Sequence, residues 1–171
     1  GRWQAVAAAK SYGLSLRPFL PTALSSEAPR AVETAQIFLE DAGRDVELVT
    51  DRSLYDGTMQ PEGSAVFREI GYAPLDFYLK DGRANAVLGE YAENAAARVA
   101  ETLAGFGQCS RRRTLVVVGH AIYLPAAALF AAEALGCDQK GRSQILGCDT
   151  QEAEGYLVEP DGTVSLLKRP R

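Results

Sequence analysis

The sequence predicts an α/β fold in three layers, with helices on both faces of a mostly parallel sheet and a C-terminal β-hairpin. Three observations predict it. Strand-like apolar segments alternate with segments of helical periodicity. The run LVVV (115–118) is short, continuous and apolar, as in a strand buried on both faces. GYLVE (155–159) and TVSLL (163–167) flank the turn PDG, which reads as a terminal hairpin. At 171 residues, 47% of them hydrophobic, the chain is long enough for one well-buried domain spanning residues 1–171.

The elements follow in order. Residues 2–12, RWQAVAAAKSY, are rich in good helix formers and stop at Gly13, a plausible helix-ending glycine. FLPTALSS (19–26) reads as extended. A helix follows, with Ser26 as its N-cap, Glu27 and Pro29 in its first turn, and Ala31, Ala35, Phe38 and Leu39 on one face up to Gly43. VELVT (46–50) is a second short strand. Residues 51–89 carry several glycines and at most short helices, near 65–70 and 75–79, and read as a variable insertion or cap. Its aromatics, Tyr55, Tyr72, Phe77 and Tyr78, are expected in the core. Glu90–Phe106 is an amphipathic helix with Tyr91, Ala95, Val99 and Leu103 about every fourth residue. LVVV ends at Gly119-His120, and Ala121–Leu135 reads as the next helix, with Pro125 near its first turn.

Composition excludes several classes. Eighteen basic residues against 22 acidic ones, net −4, argue against nucleic acid as the partner. The one dense basic run, Arg111-Arg112-Arg113, reads as a solvated loop entering the LVVV strand. Cys109, Cys137 and Cys148 are odd in number and lack C-x-x-C spacing, so neither a disulfide framework nor a metal cluster is expected. That pattern fits an intracellular, reducing compartment. AIYLPAAALFAAEAL (121–135) is the most membrane-like stretch, but Pro125 and Glu133 interrupt it, so no membrane span is expected. No Gly-rich phosphate loop follows any strand, which argues against a dinucleotide-binding enzyme.

Ligands of open α/β sheets bind outside the carboxyl ends of the strands. Two segments have the right form. In ALSSEAPR (23–30) a strand leads into a helix whose first turn carries Arg30, able to grip an oxyanion with its guanidinium fork. In VVVGH (116–120) the chain's one histidine, His120, ends a strand. Read singly, each has a bland alternative: a hydrogen-bonded structural histidine and a surface arginine.

Read together, the segments resemble a known family. SSEAPRAVETAQIF (25–38) resembles the S-S-x-x-x-R-A-x-x-T-A signature of the histidine phosphatase superfamily, the phosphoglycerate-mutase-like fold. TLVVVGHAIYL (114–124) resembles its second histidine segment, and GRWQA (1–5) resembles its G-x-x-Q-A helix start. The compact ending is most similar to the small phosphohistidine-phosphatase branch. The resemblance implies phosphomonoester or phosphohistidine hydrolysis through a phosphohistidine, with no metal or other cofactor. Arg30 and His120 would hold the phosphoryl oxygens, and Ser26, with Ser25, would line the pocket wall or cap the helix. The general acid of the family falls near SLYDGTMQPEG (53–63), where Asp56 and Glu62 are both candidates; a turn residue and a helix N-terminal glutamate are their bland readings. The implied partner is a phosphorylated small molecule or a phosphoprotein.

The resemblance also implies something the chain does not contain. The family's nucleophile comes from an Arg-His-Gly motif on a first strand that should precede GRWQA, and here Gly1 stands where no initiator Met is seen. The chain as given is therefore expected to be catalytically incomplete. Either an upstream segment supplies the histidine, or another chain covers the gap, or the motif has degenerated. The last two would make the protein a non-catalytic interaction subunit. Alanine-rich helix faces at 5–9 and 126–134, beside an exposed sheet edge, are the surfaces such other subunits would cover.

Overall fold

A computed structural model describes residues 2–12, 18, 22–55, 61–105 and 114–169, without the side chains of residues 62 and 64. Three parallel strands form the main sheet: β1 (Thr22–Ser25), β2 (Glu47–Thr50) and β3 (Val117–Val118), in the order β2-β1-β3. Leu24 lies opposite Val49 and Val117, and Ser25 opposite Thr50 and Val118. The carboxyl ends of all three strands therefore finish at one edge. Ala23, Leu24 and Ser25 are buried, so the central strand is β1. LVVV, expected to be buried on both faces, is instead only half-buried. Among the described residues β3 pairs along one edge alone, with β1.

Successive strand residues point to opposite faces, and the two cores follow that rule. Val116 packs with Ala8, Ala9, Phe38 and Ala42, between α1 (Arg2–Ser11), α2 (Pro29–Asp41) and the sheet. Leu24, Val49 and Val117 belong to the larger core, with Leu54, Tyr91, Tyr123, Leu129 and Ile145. That core holds α3 (Pro61–Ile70), α4 (Leu75–Leu79), α5 (Gly82–Gly105) and α6 (Tyr123–Ala134). Helices thus cover both faces of the parallel sheet.

Several expectations change. The N-cap of α2 is Ala28, not Ser26, and no side chain caps it. Ser26 stays in the sheet ladder, its N–H donating to the Val118 carbonyl at 3.0 Å, which frees its hydroxyl for another partner. α5 starts eight residues before the expected Glu90, at Gly82. The Asp81 carboxylate accepts from the N–H groups of Arg83 (2.8 Å) and Ala84 (3.3 Å), and Ala84 and Leu88 extend the buried face of Tyr91 and Ala95. Tyr78 is core as expected, but Tyr72 and Phe77 are 80% and 58% exposed. Part of each alanine-rich face is used inside the fold: Ala5, Ala8 and Ala9 are buried in α1, and Ala126 and Ala132 in α6, whereas Ala134 is exposed. Small side chains there let α1 approach α2 and α6 approach α5 closely.

Past α6 lies a helix the sequence reading passed over, α7 (Gln139–Gly147), capped by Asp138, which accepts from the Gly141 N–H at 2.7 Å. The expected hairpin is present as β4 (Gly155–Val158) and β5 (Val164–Leu167), pairing antiparallel as a two-stranded sheet of their own. Its turn residue Gly162 has φ +81°, and a Cβ there would lie 2.8 Å from the Cys137 nitrogen. The turn is thus pressed against the end of α6 at a position only glycine accommodates.

Candidate active site

The edge formed by the strand ends gathers Ser25-Ser26 from β1, Asp51 from β2, and Gly119-His120 from β3. Register sets Ser25 opposite Val118, which brings Ser26 to the level of Gly119-His120. Their contact is direct: Ser26 Oγ lies 2.9 Å from His120 Nε2. On the other side of the ring, Arg30 Nη2 lies 2.9 Å from His120 Nδ1. A guanidinium has donors and no acceptor, so Nδ1 must present its lone pair to Arg30. Nε2 then carries the proton and donates to Ser26 Oγ. The imidazole is therefore held as the neutral Nε2–H tautomer by two partners on two elements.

The local sequence explains this geometry. Pro29 occupies the first turn of α2, and Arg30 follows on its exposed side. Ala31 and Ala35 are buried, allowing α2 to lie close to the sheet and keep Arg30 over the strand ends. Thr34 Oγ1 donates to the Arg30 carbonyl at 2.7 Å. Ser25 and Ser26 are fully buried, and Ser25 Oγ donates to the Ser26 carbonyl at 3.0 Å, fixing the backbone beneath the ring. After His120, the Leu124 N–H donates to its carbonyl at 3.0 Å, anchoring the entry to α6.

Of the other expected residues, Asp56 lies outside the described residues, and Glu62 is the second residue of α3 with its side chain outside the described set. A residue first read as core joins the site: the Tyr55 ring stands edge-on to the His120 ring, centroids 6.2 Å apart. No local pattern marks it. Its position follows from the 3₁₀ turn Arg52–Leu54, which continues directly from β2.

Tyr55 also borders a cleft of about 400 Å³ that does not itself contain His120 or Arg30. One wall is the turn Asp51–Tyr55 and the other is α5, through Glu90, Tyr91, Asn94, Arg98 and Glu101. Asp51 organises the turn: its Oδ1 accepts from the N–H of Ser53 at 2.8 Å and its hydroxyl at 2.7 Å, while its own N–H donates to Ser25 O at 2.8 Å. Arg98 Nε lies 2.5 Å from Asp51 Oδ2, an ion pair whose N–H is not aimed along the contact. Burial pushes the Asp51 carboxyl up, but the Ser53 donors and the Arg98 guanidinium outweigh it and hold the group below its usual range.

Among the described residues, no group of histidine, cysteine or acidic side chains has the geometry to hold a metal. No helix of the described residues is long and apolar enough to cross a membrane.

Comparison with known proteins bears on this edge. The sequence profile of the histidine phosphatase superfamily (branch 1) matches residues 1–152. The fold is similar to that of mycobacterial glucosyl-3-phosphoglycerate phosphatase complexed with VO3, at TM-score 0.56 and 21% identity over 97% of this chain and 82% of that one. The complex of the same enzyme with inorganic phosphate gives TM-score 0.53 at 22% identity, covering 96% of this chain and 82% of that one. Mycobacterial hydrolase 1 is similar at TM-score 0.50 and 26% identity, over 80% and 71% of the two chains. No curated protein matches the sequence.

Proposed function

This chain belongs to the histidine phosphatase superfamily and has its phosphoglycerate-mutase-like fold, and on that premise we propose that Ser26, Arg30 and His120 form the phosphoryl-binding part of a phosphatase site. The observation that carries the reading is the pairing of Arg30 with His120 at the carboxyl edge of the parallel sheet. Arg30 is at the exposed start of a helix, where backbone N–H groups and the guanidinium favour an anion together. A phosphoryl group entering there exchanges the Arg30–His120 contact for charge-assisted bonds from Arg30. His120 takes up a second proton at the vacated Nδ1 and donates it to the anion while Nε2–H stays on Ser26. Ser26, behind the ring, keeps it oriented during the exchange.

The reaction is hydrolysis of a phosphomonoester or phosphohistidine, with the attacking imidazole taken from the family's Arg-His-Gly segment in a chain that carries it ahead of Gly1. Its nitrogen lone pair forms a P–N bond as the bond from phosphorus to the leaving group breaks. With a phosphomonoester, the leaving oxygen takes a proton from a carboxylic acid, Asp56 or Glu62, so no alkoxide is expelled. Water then attacks phosphorus, the P–N bond breaks, and inorganic phosphate leaves. Arg30 and His120, protonated once the anion is bound, hold the equatorial oxygens in both steps. The scheme uses no metal. Mycobacterial glucosyl-3-phosphoglycerate phosphatase has this fold and acts on a phosphorylated small molecule, which supports a substrate of that class here over a phosphoprotein.

The test is turnover of an aryl phosphate by the full-length protein. Arg30→Ala is expected to lower kcat/KM by roughly 100-fold. No turnover by the parent protein, or turnover unchanged in Arg30→Ala, contradicts the reading.

A further inference from the structure

The cleft between the Asp51–Tyr55 turn and α5 plays no part in the phosphoryl chemistry, yet it opens directly beside it. Tyr55 belongs to both, lining the cleft while its ring stands 6.2 Å from that of His120. At about 400 Å³ the cleft falls within the usual range of small-molecule sites, roughly 300–1,000 Å³. A phosphomonoester gripped at Arg30 and His120 therefore has somewhere to put its alcohol.

The charges of the walls say what kind of alcohol. Three carboxylates, Asp51, Glu90 and Glu101, face two guanidinium groups, Arg52 and Arg98. Arg98 is already committed to two of the acids: Nε to Asp51 Oδ2 at 2.5 Å and Nη1 to Glu101 Oε2 at 3.2 Å. A carboxylate or second phosphate entering the cleft would meet surplus negative charge and compete with carboxylates already in place. Hydroxyl groups meet the opposite situation. Carboxylate oxygens accept from them, and the Asn94 amide, one helical turn beyond Glu90 on the same face, both donates and accepts. The Tyr55 and Tyr91 rings supply apolar wall between these polar groups.

We propose that this cleft binds the alcohol moiety of the substrate and selects an uncharged, hydroxyl-rich one, a polyol or sugar, over one bearing a second anionic group. The proposal rests on the phosphatase reading above, because only that reading anchors the ester beside the cleft.

Calorimetry on the full-length protein with inorganic phosphate, sorbitol 6-phosphate and 3-phosphoglycerate separates the two readings. Inorganic phosphate reports the Arg30–His120 site alone. Sorbitol 6-phosphate is expected to bind about tenfold or more tighter than inorganic phosphate, a gain of the size one to three added hydrogen bonds provide, and 3-phosphoglycerate no tighter than inorganic phosphate. Glu90→Arg, at an exposed position of α5 that tolerates a long side chain, should reverse the order of the two esters. If inorganic phosphate binds but 3-phosphoglycerate matches or exceeds sorbitol 6-phosphate, or if Glu90→Arg leaves their ratio unchanged, the cleft proposal is overturned and the phosphatase reading stands. If none of the three ligands binds, the phosphatase reading falls and takes the proposal with it.

Discussion

Ser26 and His120 share one hydrogen bond whose loss should be felt in chemistry before stability. Ser26→Ala removes the acceptor for the Nε2 proton and leaves the Arg30 contact at Nδ1 in place. The expected result is a fall in kcat/KM of about tenfold on an aryl phosphate, with thermal stability changed by about 1 kcal/mol or less. A drop in stability with unchanged kcat/KM would make Ser26 structural. At this scale the sequence was legible where a residue's type and its neighbours' order matter. Arg30 and His120 were found from SSEAPRAVETA and VVVGH, and the structure brings them into contact. Ser26 was misread as a helix cap because serine before a proline-bearing first turn is also the signature of an N-cap. Only the pairing of β1 with β3, which holds its N–H on Val118, distinguishes the two roles. Tyr55 gave no signal at all, since its proximity to His120 depends on the turn after β2 and not on any local pattern.

Among the elements, Tyr12, just past the end of α1, ties that helix to the C-terminal hairpin. Tyr12 OH donates to the Ala153 carbonyl at 2.5 Å, with the Leu167 carbonyl at 3.1 Å, and its ring packs 6.2 Å from that of Phe38. Burial, reinforced by the charge of Glu154 and partly offset by Arg169, pushes its hydroxyl up from 10.0 to about 12. The folded state therefore favours the protonated phenol. That contribution is complete below the unfolded value near 10 and is lost as pH rises from there to about 12. Denaturant midpoints followed across that interval should fall more steeply for the parent protein than for Tyr12→Phe, and parallel profiles would contradict the assignment. The hairpin turn offers a second check. Gly162→Ala forces a Cβ onto the backbone at Cys137 and Gly136 at a φ of +81°, and should cost about 2–4 kcal/mol in a denaturation experiment. The turn itself was legible, as PDG between two apolar runs, but its contact with the end of α6 was not. The same limit explains the helices. α1, α2 and α6 lie close to the ranges read from helix-forming composition, apolar spacing and flanking glycines, whereas Gly82 and Gly89 hid the first turns of α5. α7 was missed because a polar helix carrying few buried side chains, Gly141 and Ile145 among them, has little periodicity to read.

Across the whole molecule, the candidate site follows from topology. Parallel pairing sends the ends of β1, β2 and β3 to one edge, so residues 26, 30, 55 and 120 meet there despite their separation in sequence. The α/β class, the helices on both faces and the terminal hairpin were legible because alternation of strand and helix patterns determines layer architecture. The burial of β3 was not, because a run such as LVVV states how apolar a strand is and not how many neighbours it has. Of the alanine-rich faces, helix-on-helix packing inside the fold covers Ala5, Ala8, Ala9, Ala126 and Ala132, while Ala134 stays exposed. The central claim is that Arg30 and His120 hold a phosphoryl oxyanion, and His120 is the one histidine of residues 1–171. The most direct measurement is therefore the ¹⁵N NMR signal of the His120 ring in the full-length protein during titration with inorganic phosphate. The account predicts saturable shifts at both ring nitrogens, as Arg30 leaves Nδ1 and that nitrogen takes up a proton to donate to the anion, and no saturable shift in Arg30→Ala. Phosphate binding that leaves both His120 nitrogens unmoved, or that persists undiminished in Arg30→Ala, would contradict it.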